Sequence, residues 1–255
     1  MQKGKIALVT GSSSGIGFEV AAALGFQGVR VAVVASSSAA KARACADRIV
    51  ADGGNAMPFV ANISNVEEVI ALVRQVEVDM GPIDFLINSA GVYYPTPAGT
   101  TTEIEFDRMM AINLKGSFFA INAVAPEMKK RRAGRIVNVA SVAGIVGSPN
   151  YSLYAATKAG ILALTKSIGV ELAPFGINVN AIAPGNTETP INEDIRMAPQ
   201  FAAHRERIAR ITPSQRLFTP PQEIASAILF LLSDATKGMY GSTLVIDEGR
   251  SAGTL

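Results

Sequence analysis

Short apolar runs rich in Val, Ile and Ala recur near residues 5–9, 30–35, 56–60, 83–87, 135–139, 177–182 and 243–246, and longer amphipathic stretches fall between most of them. Runs of that length with β-branched residues predict strands, and the stretches between them predict helices. Two of the runs, VAVVA at 31–35 and FLIN at 85–88, lack polar alternation, as expected of strands covered on both faces. A parallel neighbour cannot be reached through a tight turn, so strand and helix in alternation imply parallel pairing through right-handed crossovers. The expected fold is α/β: one doubly wound domain over 1–255, with a seven-stranded parallel sheet and helices on both faces. The pattern breaks at about 187–221, where a helix-like piece but no strand is expected. Following Pro184 and Gly185 at the carboxyl edge of the sheet, that segment is placed to act as a lid over a substrate, or else is an ordinary surface excursion.

Composition narrows the class. With 255 residues the chain could form one large domain or two small ones, and the even spacing of strand signals favours one. No apolar run approaches the eighteen or so residues that span a bilayer, so no membrane role is expected. The first strand begins at residue 5, which leaves no room for a signal peptide, and the lone Cys45 rules out an internal disulfide, so a cytoplasmic location is expected. A net charge of +2 gives no electrostatic footprint for nucleic acid. His204, the single histidine, has no companion at metal-ligand spacing, and no metal is expected.

The candidate chemistry starts at the first strand. Gly11, Ser12, Ser13, Ser14, Gly15, Ile16 and Gly17 follow it directly and lead into a helix-like stretch at 18–24. Glycines let backbone N–H groups approach a pyrophosphate, and a helix N-terminus adds unpaired donors and a favourable dipole. The spacing is Gly-x-x-x-Gly-x-Gly, not the G-x-G-x-x-G dinucleotide fingerprint. Farther on, Tyr154 and Lys158 stand four residues apart, thirteen and seventeen after Ser141. One helical turn, roughly 6 Å, puts phenol and ammonium on one face, where the positive charge favours the phenolate. With a serine hydroxyl beside them they form a donor and acceptor set for moving one proton. In isolation the pair could equally be two half-exposed helix residues. Its company in this chain points to proton transfer beside a dinucleotide.

The ordered set of TGSSSGIG at 10–17, NSAG at 88–91, Asn113, Ser141, Tyr154 and Lys158 resembles the classical short-chain dehydrogenase/reductase family, and the likeness continues through Pro184 and Gly185 to Asp247, Glu248 and Gly249. The resemblance implies a Rossmann-type fold, a nicotinamide cofactor and reversible oxidation of an alcohol to a carbonyl. It also implies a catalytic tetrad of Asn113, Ser141, Tyr154 and Lys158, in which Tyr154 is the acid/base, Lys158 binds the nicotinamide ribose, and Asn113 holds a relay water. Cofactor contacts are expected from Gly11, Ser13, Ser14, Gly15, Ile16, Gly17, Ser36, Ser37, Ser38, Asn62, Ile63, Asn88, Ala90, Gly91, Tyr154, Lys158, Pro184, Gly185, Thr187 and Thr189. Substrate contacts are expected from Tyr93, Ser141, Val142, Val146, Tyr151 and Asn186, with Tyr94, Pro95, Ile145, Ile191 and Met197 as further candidates. Most of these are apolar or aromatic, which suits a mainly apolar ketone or secondary alcohol.

Departures from the family pattern refine the expectations. The acidic residue that accepts from the ribose 2′-OH of NAD is replaced by Ser36, Ser37 and Ser38, and no Asp or Glu occurs between Glu19 and Asp47. NADP(H) is therefore favoured over NAD(H), with Lys41 and Arg43 as possible sources of positive charge, although Ser14 stands where many NADP-preferring relatives carry a basic residue. Asn62 replaces an aspartate that contacts adenine, and its amide oxygen could still accept from the adenine amino group. Ser89 replaces the more usual asparagine. The basic stretch 128–132 resembles that of 3-oxoacyl-(acyl-carrier-protein) reductases, which makes a 3-oxoacyl thioester an alternative substrate. Against it, Phe175 stands where those reductases often carry a basic residue, and cations at a helix C-terminus are favoured by the dipole alone. His204, Arg205, Arg207 and Arg210 could meet a phosphate-bearing carrier or simply form a solvated face. A catalytically idle dinucleotide-binding regulator is the other class, disfavoured because all four tetrad residues are present together. The resemblance also implies a homotetramer joined through two long helices, at 102–131 and 152–173; the second carries Ala155, Ala159 and Ala163, which could let another helix approach or could pack on the chain's own sheet.

Overall fold

The computed structural model describes residues 3–253, apart from the side chain of His204. Strands β1 (Ile6–Thr10), β2 (Arg30–Ala35), β3 (Asn55–Val60), β4 (Phe85–Asn88), β5 (Gly134–Val139), β6 (Ile177–Pro184) and β7 (Thr243–Ile246) form one parallel sheet in the order β3-β2-β1-β4-β5-β6-β7. All seven lie where the apolar runs place them, with ends shifted by at most two residues. Helices α1 (Gly15–Phe26), α2 (Ala39–Ala51), α3 (Val66–Met80), α4 (Glu103–Met110), α5 (Gly116–Arg131), α6 (Ser152–Leu172), α7 (Glu193–Met197), α8 (Ala202–Arg210) and α9 (Pro221–Leu231) connect them.

Alternate strand residues feed two apolar layers, as the period-two pleat requires. Ile6 and Leu8 join Val69, Leu72 and Val76 of α3, Ile121 and Val124 of α5 and Ile168 of α6. Ala7 and Val9 join Phe18 and Leu24 of α1, Ile49 of α2 and Ile228 of α9 on the other side. Fully burying a side chain such as Leu8 or Ile87 stabilises by roughly 1.5–3 kcal/mol, so the sheet is held from both faces. Pro58, which cannot donate to a ladder, sits in the edge strand β3. This doubly wound, Rossmann-type arrangement reverses direction between β1 and β4, and the crevice at their carboxyl ends is where ligands bind in such sheets.

Two expectations are modified. The stretch at 102–131 is not one α-helix: α4 and α5 are joined by a π-helical turn at Ala111–Lys115, and Asn113 lies inside it. Such turns are rare and one turn long, and the phase jump that one causes cannot be told in a short stretch from ordinary irregularity of the pattern. Gly116 just beyond it lies so close to the Ile63 carbonyl that a Cβ would stand 2.6 Å away. In α6, Ala159 and Ala163 are exposed, so those two face away from the chain's own sheet.

Between β6 and α9 the described chain holds no strand, but a parallel bridge pairing Thr187 with Thr219, the short helices α7 and α8 and 3-10 turns at Pro190–Asn192 and Pro199–Phe201. The base of this segment is fastened. Arg216 forks onto Glu223 (2.6 and 2.7 Å) and onto Glu248 (2.6 and 3.0 Å), and the Thr219 hydroxyl donates to Glu248 at 2.7 Å. That guanidinium holds the Glu248 carboxyl down at about 2. Arg205 donates to the carbonyls of Ile195 (3.0 Å) and Ala198 (2.9 Å), tying α8 to α7. No described helix is long and apolar enough to cross a membrane.

Candidate active site

A cleft of about 700 Å³ crosses the carboxyl ends of β1, β4, β5 and β6. Its first wall is the glycine turn. Gly11 (φ 67°) and Gly15 (φ 55°) adopt left-handed backbone that favours glycine. A Cβ on Gly11 would stand 2.6 Å from the Ala90 Cα, and one on Gly17 would stand 2.5 Å from the Gly11 carbonyl oxygen. Ser12 bolts the turn down: its hydroxyl donates to the Val9 carbonyl and accepts from the Val34 N–H, both at 2.7 Å. Ser14 caps α1 by position only, making no side-chain capping bond, and no acidic residue occupies the first turn. The helix N-terminus thus keeps donors for an anion. Gly11, Ser13, Ser14, Gly15, Ile16 and Gly17 all line the cleft.

At the adenine end expected from the sequence, Ser36, Ser37, Asn62 and Ile63 line the cleft, with both serines exposed. Ser38 does not line it; its hydroxyl accepts from the Lys41 N–H at 3.2 Å and caps α2, the use that a serine before a helix most often finds. Lys41 and Arg43 are exposed and do not line the cleft either. The Asn62 side-chain oxygen already accepts from the Ser64 N–H (3.1 Å) and hydroxyl (2.8 Å), so the acceptor expected for adenine is engaged by a local turn.

Behind β4, Thr10 accepts from the N–H groups of Ser89 (3.2 Å) and Ala90 (3.3 Å), so Ser89 serves this loop through its backbone. Ala90 and Gly91 line the cleft, while Asn88 lies beneath it, donating to Asn138 at 2.9 Å. Asn138 donates onward to Thr165 of α6 at 3.0 Å. Asn113 is buried and does not line the cleft. Its amide accepts from the Val92 N–H (2.8 Å) and donates to the Val92 carbonyl (3.0 Å) and the Thr157 hydroxyl (3.2 Å). Both amide hydrogens are thereby spent, and the side chain acts as a clamp between the β4 loop and the turn of α6 that bears Tyr154 and Lys158. Only acceptors remain on Asn113 for a relay water.

Ser141, Tyr154 and Lys158 meet on the cleft floor. The Lys158 ammonium lies 5.7 Å from the centroid of the Tyr154 ring, as the four-residue spacing requires, and donates to the Val139 carbonyl at 2.8 Å. The expected downward pull on the phenol is not what the structure gives. Burial pushes Tyr154 up to about 12 and is only partly offset by its hydrogen bond with Ser141. Burial also brings Lys158 down to about 8. Desolvation opposes the charged form of each residue and is the largest influence on both.

The remaining wall is mixed. Pro184, Gly185, Asn186, Thr187 and Thr189 line it, and a Cβ on Gly185 would stand 2.8 Å from the Asp247 Cα. Tyr93, Val142 and Val146 form the apolar side. Tyr151 does not reach the cleft; it stacks flat on Tyr93 at 4.5 Å, and Tyr93 meets Tyr154 edge-on at 4.9 Å. Tyr151 therefore supports the wall from behind. Of the further candidates, Ile191 lines the cleft, whereas Tyr94, Pro95, Ile145 and Met197 do not. The structure adds Ser64, Arg108, Ile195, Ile208, Phe218 and Arg250, which no motif singled out. Glycines admitting no Cβ, an open helix N-terminus and a proton-transfer triad in one cleft fit a nicotinamide dinucleotide. No group of three or more described metal-ligating side chains occurs.

The basic stretch is largely paired within the protein. Lys129 bonds Glu171 (3.1 Å) and lies over the Phe175 ring, Arg131 bonds Asp84 (3.3 Å), and Arg132 donates to the Pro174 carbonyl at 2.7 Å.

Comparison with known proteins gives the same picture. A family model described as short chain dehydrogenase matches residues 5–200. The chain is similar to the 3-oxoacyl-(acyl-carrier-protein) reductase of Staphylococcus aureus, 38% identical over 98% of this chain and 99% of the relative. It is also similar to that of Thermotoga maritima, 38% identical over 97% and 98%. A solved structure of an actinorhodin polyketide ketoreductase with NADPH superposes with a TM-score of 0.91 at 32% identity, covering 97% of each chain. Full-length likeness above 30%, joined to the sheet order and the glycine-turn cleft, establishes that the chain belongs to the short-chain dehydrogenase/reductase family of oxidoreductases.

Proposed function

We propose that the protein interconverts a mainly apolar ketone and its secondary alcohol with NADP(H), using Tyr154 as the general acid and base. The observation that carries this reading is the convergence of Ser141, Tyr154 and Lys158 on the floor of a cleft whose far wall is the glycine turn. A bound nicotinamide dinucleotide supplies or accepts the hydride. The glycine turn and the N-terminus of α1 hold its pyrophosphate, and Gly91, Pro184, Gly185, Thr187 and Thr189 border its nicotinamide end. In the direction of reduction, Tyr154 gives its proton to the carbonyl oxygen as that oxygen becomes an alkoxide, and Ser141 donates a hydrogen bond to the same atom. A phenol held at about 12 stays protonated at neutral pH, which suits the acid role. Lys158 donates to the ribose hydroxyls. The segment at 187–221 acts as the lid that excludes water, with its base fastened by Arg216.

For NADP, the support is the pair Ser36 and Ser37 at the end of β2, where no carboxylate would repel a 2′-phosphate, together with the NADPH of the structurally similar ketoreductase. A 3-oxoacyl thioester is the second reading, favoured by the names of the S. aureus and T. maritima relatives. Self-association as a homotetramer is inferred through the outer faces of α5 and α6, where Phe118, Ala163 and Leu164 line an open groove.

The direct test is oxidation of NADPH against neutral ketones and 3-oxoacyl thioesters, with NADH in parallel. The expected result is ketone-dependent turnover, with NADPH bound at least about tenfold more tightly than NADH through one charge-assisted contact. Tighter NADH binding overturns the cofactor assignment. A second expectation concerns pH. Since the Lys158 ammonium is lost as pH rises through about 8, and an ammonium donates more strongly than an amine, NADPH affinity should fall over that range. In Lys158→Met the affinity should be weaker and lack that inflection; an inflection unchanged in the variant assigns it to another group.

A further inference from the structure

Arg250, on the turn that follows β7, lines the cleft on the Tyr93 side. Its placement is specified by the local chain. Glu248 (φ 62°) and Gly249 (φ 83°) are both left-handed and fold the backbone sharply back. The Asp247 carboxylate closes the turn, accepting from the N–H groups of Gly249 (3.1 Å) and Ser251 (2.7 Å), while the Arg250 N–H donates to the Asp247 carbonyl at 3.1 Å. A Cβ on Gly249 would press against the Pro213 ring at 3.2 Å, so the turn is seated against the segment that precedes α9.

The nearest acids are already committed. Asp247 is held by backbone amides, and Glu248 by Arg216 and Thr219. Among the described residues the half-buried Arg250 guanidinium has no ion pair and no hydrogen bond, and the exposed Arg207 of α8 sets a like charge close by. Burial first, and then Arg207, hold Arg250 below the ordinary arginine range. The Asp247 carboxylate acts the other way but is spent on the turn, and a guanidinium partly removed from water without a paired carboxylate is costly, while its fork matches one.

We propose that Arg250, with Arg207 behind it, is the anion subsite of the substrate cleft, and that the compound reduced is an oxo acid whose carboxylate docks there. This rests on the reading of Tyr154 as the acid. Arg250 lines the same cleft as Ser141 and Tyr154, which suits a carboxylate on the reduced compound itself better than the phosphate at the far end of a pantetheine thioester. Tyr93 lines the cleft and lies edge-on to Tyr154, with ring centroids 4.9 Å apart. Ile208 and Phe218, which also line the cleft, suit a short hydrocarbon body.

The test has a binding arm and a kinetic arm. With the protein saturated by NADPH, hexanoate and the neutral hexanamide are titrated by calorimetry into the parent, Arg250→Met and Arg250→Lys. Hexanoate should bind the parent more tightly than hexanamide, and that preference should fall by about tenfold to a hundredfold in the Met variant and be only partly kept in the Lys variant, which retains the charge but not the fork. The ratio of kcat/KM for medium-chain oxo acids over their methyl esters should fall alike, chiefly through KM, and the parent's acid turnover should drop with added salt. Equal binding of hexanoate and hexanamide by the parent overturns the proposal, as does an unchanged preference in Arg250→Met. A loss of NADPH affinity in that variant overturns it too, by placing Arg250 at the dinucleotide. A loss confined to coenzyme A thioesters overturns the carboxylate assignment. Selective hexanoate binding without turnover of any ketone would leave the subsite standing and remove the oxidoreductase reading.

Discussion

Tyr154→Phe is expected to lower kcat for carbonyl reduction by about a hundredfold to ten-thousandfold, the usual range for losing a positioned proton donor. The ring stays, and with it the edge-on contact to Tyr93 and the place on α6, so the folded structure should hold. What disappears is the proton of a phenol that burial holds at about 12. Ser141 can still donate to the substrate oxygen, but its own hydroxyl is far too weak an acid to replace the phenol, so the loss should fall on kcat. NADPH affinity should change by no more than about threefold, because the substitution takes nothing from the glycine turn. Steady-state rates and an NADPH titration on the same preparation check both halves. Turnover at the parent rate would remove Tyr154 from the chemistry. Lost NADPH binding would instead show that the phenol is needed to hold the dinucleotide.

The strands are readable because burial on both faces leaves runs such as VAVVA and FLIN without polar interruption, and the glycine turn is readable because its spacing has a physical cause: backbone lies where a Cβ on Gly11 or Gly17 would have to go. What pattern cannot reach depends on atoms brought together from far along the chain. Ser38 looks like its neighbours Ser36 and Ser37 until α2 begins one residue later and takes its hydroxyl as a cap. Asn113 is expected from the family motif, but its two bonds to Val92 and one to Thr157 depend on the π-helical turn, which cannot be told in so short a stretch from ordinary irregularity of the pattern. The direction of the Tyr154 shift escapes the sequence for a similar reason: helical spacing brings the ammonium near, while the depth of burial is set by the surrounding cleft. Arg250 sits in a turn whose backbone signs cannot be read from residue types alone.

Gly17→Ala is expected to destabilise the fold by about 1–3 kcal/mol and to weaken NADPH binding more than tenfold. The added Cβ would meet only backbone: the Gly11 carbonyl oxygen at 2.5 Å, its carbon at 2.9 Å and the Ser12 Cα at 3.1 Å. That turn has nowhere to retreat, since Ser12 is bonded to both Val9 and Val34 and Gly11 already lies against Ala90. The start of α1 must therefore move outward, carrying the N–H groups proposed to face the pyrophosphate. Helix propensity acts the other way, favouring Ala over Gly by about 1 kcal/mol, so a net loss of stability means that the clash exceeds that gain. Gly238→Ala is the matched control: its Cβ meets nothing within 4 Å, and its effect should stay within about 0.5 kcal/mol. Thermal unfolding of the two variants, followed by NADPH titration, separates the contributions. An unshifted melting point with parental affinity in Gly17→Ala would mean that the turn and helix can part without cost, and the close packing assigned to this wall would be wrong.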